Sequence, residues 1–167
     1  MNTTLFKNAK AIVTVDGDDR VLLDANLRIK ENASDYIGYD EIDADRIVDA
    51  SELILYPGLI NTHHHFYQTF TRNLAQVQNL ELFRWLTALY EIWRHLDDEC
   101  IYYSSLTAMG ELVRYGCTTA MDHHYVFPKE GSERFIDRQF DAAEALGVRL
   151  HAARGSMSSR PRRTTSS

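Results

Sequence analysis

The run Asn61-Thr62-His63-His64-His65 places three imidazoles in succession, and Asp122-His123-His124 adds two more further along. The spacing of His63 and His65 carries the chemistry. In extended backbone, residues two apart point to the same side, so these two rings can share one cation while His64 faces the other way. Imidazole nitrogen binds Zn2+ at about 2.0–2.1 Å, and a catalytic zinc needs a third protein ligand and a position left open for water. Metal binding lowers the pKa of that water to about 7, which yields hydroxide at neutral pH. A bare His-x-His is equally the pattern of a polar loop, or of histidines satisfied by backbone hydrogen bonds. The seven histidines are too dispersed along the chain for a histidine-rich metal carrier.

Residues that act together at a site must be aimed there by strands and helices, and the sequence has two regimes. Over residues 5–48, short β-type runs are broken by polar turns, with Asp16-Gly17 as a hairpin signal, so residues 1–52 read as a small antiparallel β subdomain. Residues 31–46 are acidic and lack a strand period, and a loop or an irregular edge is expected there. From residue 53 strands alternate with helices. An apolar run over 53–56, stopped by Pro57-Gly58 and resumed by Leu59-Ile60, reads as a buried strand meeting the histidines. Leu82, Trp85, Leu86, Leu89 and Trp93 recur at helical spacing within 80–96. A second helix over 99–115 follows the cap Asp97-Asp98 and stops at Gly116, and a third over 132–146 stops at Gly147. Strands are expected over 117–121 and 148–153.

Strands separated by helices pair in parallel through right-handed crossovers, and each of these strands ends in polar residues. The fold class is therefore α/β: the N-terminal part of a (β/α)8 TIM barrel, about three strands, over residues 53–157, preceded by the small β subdomain. In such barrels the active site lies at the C-terminal ends of the strands. Residues 158–167, SSRPRRTTSS, offer no apolar side chain for packing and read as a disordered tail, with a frameshift or premature end in place of a continuing barrel as the expectation.

At 167 residues the chain has enough length for a packed core but less than the ~250 residues of a complete barrel. A net charge of −6 argues against a general nucleic-acid binder, which needs a surplus of Lys and Arg on one face. Cys100 and Cys117 form no CxxC motif, which suits a reducing compartment. No stretch approaches the ~20 apolar residues of a membrane span, and the first residues do not read as a signal peptide. Cytoplasmic location, with no membrane partner, is the expectation.

The segment Tyr56-Pro57-Gly58-Leu59-Ile60-Asn61-Thr62-His63-His64-His65 resembles the amidohydrolase superfamily, whose first barrel strand ends in a Pro-Gly-x-x-(Asp/Asn)-x-His-x-His pattern. The continuation HHHFYQTFTRNLAQVQNLELFRWL, then GCTTAMDHHYVFP and HAARGSMS, is similar to its metal-dependent deaminase branch, the 8-oxoguanine, isoxanthopterin and hydroxyatrazine aminohydrolases. The resemblance runs from about Leu5 to Ser158, the N-terminal part of such an enzyme, and implies that residues 1–52 belong to a β-sandwich-type subdomain.

That resemblance implies a hydrolase of non-peptide C–N bonds, a deaminase of a purine-, pterin- or triazine-like heterocycle. It implies one Zn2+ per complete site, or Fe2+ in some relatives, with His63 and His65 as the metal ligands this chain supplies. The remaining ligands and the catalytic acid and base residues fall beyond the chain, so the 167 residues alone are expected to show little or no turnover. Gln68 stands where similar deaminases use a glutamine on the ring substrate, with a surface loop glutamine as the other reading. Arg154 could offer its fork of donors to a ring carbonyl or form a structural ion pair. Trp85 could wall a flat ring, although its helical spacing favours core packing, and Tyr125 has the same ambiguity. His123 and His124 are supporting or structural residues in that resemblance. The alternative from another class is a non-catalytic binding module that self-associates through open strand edges.

Overall fold

The computed structural model describes residues 2–128 and 130–155. Residues 158–167, read as a disordered tail, lie outside the described residues. The chain divides into two compact units, residues 1–57 and 58–167.

The first unit holds two sheets. In the larger, strands β1 (Thr3–Ala9), β4 (Ala25–Lys30), β5 (Ala33–Gly38) and β6 (Arg46–Asp49) lie in the order β5-β4-β1-β6. In the smaller, β2 (Ala11–Val13), β3 (Val21–Leu22) and β7 (Ile54–Leu55) lie in the order β3-β2-β7. Ala9, Ile12, Ala25 and Ala50 form the buried core of this unit. The Asp16-Gly17 turn joins β2 and β3 as an antiparallel hairpin, closed by a bond from the Asp19 amide to the Asp16 carbonyl at 3.1 Å.

Two expectations need correction here and one is met. The subdomain is mixed, not antiparallel throughout, because β1 pairs in parallel with β6 and β2 in parallel with β7. Tight hairpins impose antiparallel pairing, whereas strands that return after a long excursion are free to run alongside their partner. Within 31–46 the irregular edge is what forms: β5 is the edge strand, its pairing with β4 shifts register between Arg28 and Ile29, and Arg28 grips Asp35 through two bonds of 3.0 and 2.8 Å across the pair. Opposite charges facing each other across strands stabilise a register that apolar alternation does not reveal. Ile54 and Leu55, expected to open the second unit, pair with Ala11 and Ile12 in the first, and the chain changes unit at Pro57 and Gly58. Proline carries no N–H for a ladder, so the strand cannot run through it.

In the second unit β8 (Leu59–Asn61), β9 (Cys117–His124) and β10 (Arg149–Arg154) form a parallel sheet in the order β10-β9-β8. Leu59 and Ile60 are 59% and 67% exposed, contrary to the expected buried strand. β8 is the outer strand of this sheet and nothing among the described residues covers its free side.

Helices α1 (Leu82–Trp93), α2 (Asp98–Arg114) and α3 (Phe135–Leu146) complete the unit. Asp97 caps α2 by accepting the Cys100 amide at 2.8 Å, and Asp98 and Glu99 complement the positive end of the helix dipole. Gly147, at φ 68°, closes α3 in the left-handed conformation that glycine adopts without a Cβ penalty. α3 begins three residues later than expected because the Ser132 hydroxyl donates to the Pro128 carbonyl at 2.8 Å instead of capping the helix. Along β9 the residues alternate: Ala120, Asp122 and His124 are buried, and Ala120 packs with Ala108 and Met109 of α2 and Ala142 and Ala143 of α3. Met121 and His123 point to the opposite face. Among the described residues no helix is long and apolar enough to cross a membrane.

Candidate active site

Strand β8 ends at Asn61, and His63, His64 and His65 follow outside it, just past the strand in which the sequence pattern puts them. Parallel register carries this segment alongside the end of β9, where the His123 amide donates to the His64 carbonyl at 2.9 Å. A 3-10 segment, Phe66–Thr71, turns the chain away at once, and buries Phe66 and Tyr67 beneath the site.

His63 and His65 do come together. Their ring centroids lie 5.2 Å apart, and both line a cavity of about 200 Å3 with Thr62, His64, Met121 and His123. His65 Nδ1 lies 2.8 Å from the His123 carbonyl oxygen. A carbonyl only accepts, so the neutral ring carries its proton on Nδ1 and keeps the Nε2 lone pair, the state that a metal ligand requires. The His64 ring packs at 4.9 Å from Phe66, and its Nδ1 accepts the His65 amide at 2.9 Å. Burial holds the His64 imidazole below its ordinary pKa. Two imidazoles fit a divalent transition metal as part of a ligand set, and among the described residues no group of three or more His, Cys, Asp or Glu converges to complete one.

Gln68 donates from Nε2 to the hydroxyl of Tyr125 at 2.9 Å and to that of Tyr67 at 3.3 Å. Tyr125 in turn stands edge-on to His65, with centroids 5.1 Å apart. Gln68 is thus tied to the histidine cluster through Tyr125 and is not a free loop residue. Trp85 packs edge-on against Trp93 at 5.5 Å, in keeping with its helical spacing, and with Gln68, Asn73 and Gln78 it lines a second cavity of about 220 Å3. Among the described residues Arg154 pairs with no carboxylate; it stands opposite His124 in the β9–β10 ladder, and its guanidinium lies 4.4 Å above the Phe127 ring.

Asp122, Gln139 and Gly155 escape the sequence pattern, whereas His124 is one of the residues expected there to be supporting or structural. Asp122 is fully buried, and its carboxylate accepts the Phe66 amide at 2.6 Å and the Gln139 side-chain amide at 2.5 Å. Burial pushes its pKa up, against the pull of these two bonds. His124, also fully buried, sits among the rings of Tyr67, Phe127 and Phe135, with Nε2 bonded to the Val126 carbonyl at 2.8 Å, and burial lowers its pKa to about 4. A Cβ on Gly155 would overlap His123 Nε2, so glycine there leaves room for that ring. The available signals were parity and stripe. Asp122 shares the buried face of its strand with Ala120, and Gln139 interrupts the apolar stripe Phe135, Ala142, Ala143.

A parallel sheet backed by helices, with a histidine pair at its C-terminal end, is an α/β arrangement that gathers polar side chains where such folds carry their sites. Residues 54–166 match the model of the amidohydrolase family, and the chain belongs to that family. It is 44% identical to an 8-oxoguanine deaminase of Pseudomonas aeruginosa, with 95% of this chain and 35% of the relative covered. It is 39% identical to a hydroxydechloroatrazine ethylaminohydrolase of Pseudomonas sp. strain ADP, with 93% and 35% covered. Among solved structures, atrazine chlorohydrolase from Arthrobacter aurescens TC1 complexed with zinc superposes with a TM-score of 0.83 at 31% identity, over 90% of this chain and 35% of that one. The chain spans about a third of the length of these relatives.

Proposed function

We propose that this chain supplies the first-strand wall of a metal-dependent aminohydrolase site, one that removes an amino group from a flat purine-, pterin- or triazine-like heterocycle. The observation that carries this reading is the Nδ1–H···O=C bond from His65 to His123, which leaves a metal-binding nitrogen on a ring sharing its cavity with His63. His63 and His65 hold the ion, zinc being the one named for the solved relative and Fe2+ the alternative. A divalent ion bound there supplies Lewis acidity and an acidified water. Gln68, with its amide N–H groups engaged by Tyr125 and Tyr67, presents Oε1 as an acceptor to a ring N–H. Trp85 offers an aromatic wall beside it.

Two imidazoles leave a metal under-coordinated, so the 167 residues alone are expected to bind Zn2+ weakly, to release little ammonia from 8-oxoguanine or isoxanthopterin, and to release little alkylamine from hydroxyatrazine-type compounds. Robust ammonia release would overturn that part of the proposal. The site itself is tested in a chimera in which residues 1–155 replace the matching third of the Pseudomonas aeruginosa 8-oxoguanine deaminase. The chimera should carry zinc and release ammonia, and His65→Ala should abolish both. A chimera that melts cooperatively yet holds no zinc would overturn the assignment of the histidine pair.

A further inference from the structure

We propose that Asp122, backed by Gln139, is a positioning residue that sets the backbone and ring of His65. The inference rests on the metal-site reading for its functional meaning, but its geometry stands alone. Burying a carboxylate is costly unless its oxygens are satisfied, and no Lys or Arg pairs with Asp122 among the described residues. It is satisfied instead by two N–H donors from two different elements, the Phe66 amide of the 3-10 segment and the Gln139 amide of α3.

The Phe66 amide belongs to the peptide plane that follows His65. Fixing that plane fixes the ψ of His65, which stands at 85° with φ −136°. The neighbouring residue of the same strand, His123, holds the ring through its carbonyl. Consecutive residues of β9 therefore clamp His65 twice, the Asp122 side chain on its backbone and the His123 main chain on its imidazole. Gln139 holds the carboxylate in place from behind. Its own Oε1 is buried without a hydrogen-bond partner, so the amide orientation is dictated by Asp122 and by nothing else in that pocket. Outer hydrogen bonds that orient a ligand typically change metal affinity by about 10- to 100-fold when removed.

The test is the tautomer of His65, read from imidazole 15N shifts in the 167-residue chain, together with Zn2+ affinity by chelator competition. The wild type should show a fixed Nδ1–H form. Asp122→Ala should let the His65 signals average between tautomers and weaken Zn2+ binding by about 10-fold or more. Asp122→Asn should restore both, because its Oδ1 can accept the Phe66 amide while its own amide donates to Gln139 Oε1. Met109→Ala, which opens the same core without touching His65, should lower the Tm but move neither readout. If Asp122→Ala does not fold, Gln139→Leu carries the test, with a smaller loss in the same direction.

A folded Asp122→Ala or Gln139→Leu protein with an unchanged tautomer and unchanged Zn2+ affinity overturns the inference and leaves the metal-site reading standing. A wild type that shows the fixed tautomer, lost in the variant, but binds no Zn2+ supports the positioning role and overturns the metal-site reading.

Discussion

Replacing His124 by Gln should remove a pH dependence of stability that the wild type cannot avoid. The His124 ring is fully buried between three aromatic rings, with Nε2 donating to the Val126 carbonyl and Nδ1 buried without a hydrogen-bond partner. A proton on Nδ1 would therefore be a buried donor with no acceptor. Burial, with the nearby charges of His65, Arg154 and His123, lowers the pKa to about 4 against the Val126 bond that raises it. In the unfolded chain a histidine titrates near 6.5. The folded pKa is thus the lower one. Above about pH 6.5 both states are neutral and stability is complete. As pH falls from there to about 4, the unfolded chain takes up a proton that the native state refuses, and stability declines by about 1.4 kcal/mol per pH unit, levelling off below. The full loss is about 3 kcal/mol. Asp122, whose pKa is raised, contributes with the opposite sign, favouring the native state in acid and losing that contribution as pH rises through its folded pKa. Comparison with His124→Gln removes this background, because glutamine keeps a donor for Val126 and does not titrate. Urea unfolding across about pH 4 to 7.5 gives both curves. Parallel curves for the two proteins would refute the argument.

Gly58→Ala should destabilise the protein by about 1–3 kcal/mol in urea unfolding, since the new Cβ would overlap Thr118 Oγ1 and Cγ2 on the neighbouring strand; an unchanged midpoint would mean that β8 and β9 are less closely apposed. Asp97→Ala should cost about 1 kcal/mol by leaving the Cys100 amide uncapped, and faster amide exchange confined to the first turn of α2 is the check. Gly155→Ala should displace the His123 ring and, through the carbonyl that holds His65, weaken Zn2+ binding several-fold in chelator competition, while a Gly155→Ala protein with wild-type affinity would show that the ring moves without its backbone.

The histidine pair was legible because its signal is local. Two residues apart in extended chain, beside a Pro-Gly break, His63 and His65 needed only the period of a strand to be placed on one side. The ends of α2 and α3 were legible for the same reason, through Asp97 before the helix, Gly116 after α2 and Gly147 after α3. Pairing decided the rest. That Ile54 and Leu55 join Ala11 and Ile12, and that β6 lies parallel to β1, depends on which distant strands meet, and no short window of residues records it. The tautomer of His65 depends on a carbonyl 58 residues away, and its backbone on a carboxylate one position before that. Residue type and spacing thus determined which imidazoles share one cavity, while strand register determined which neighbours orient them, because a hydrogen bond across a sheet is set by alignment in space and leaves no periodic trace along the chain.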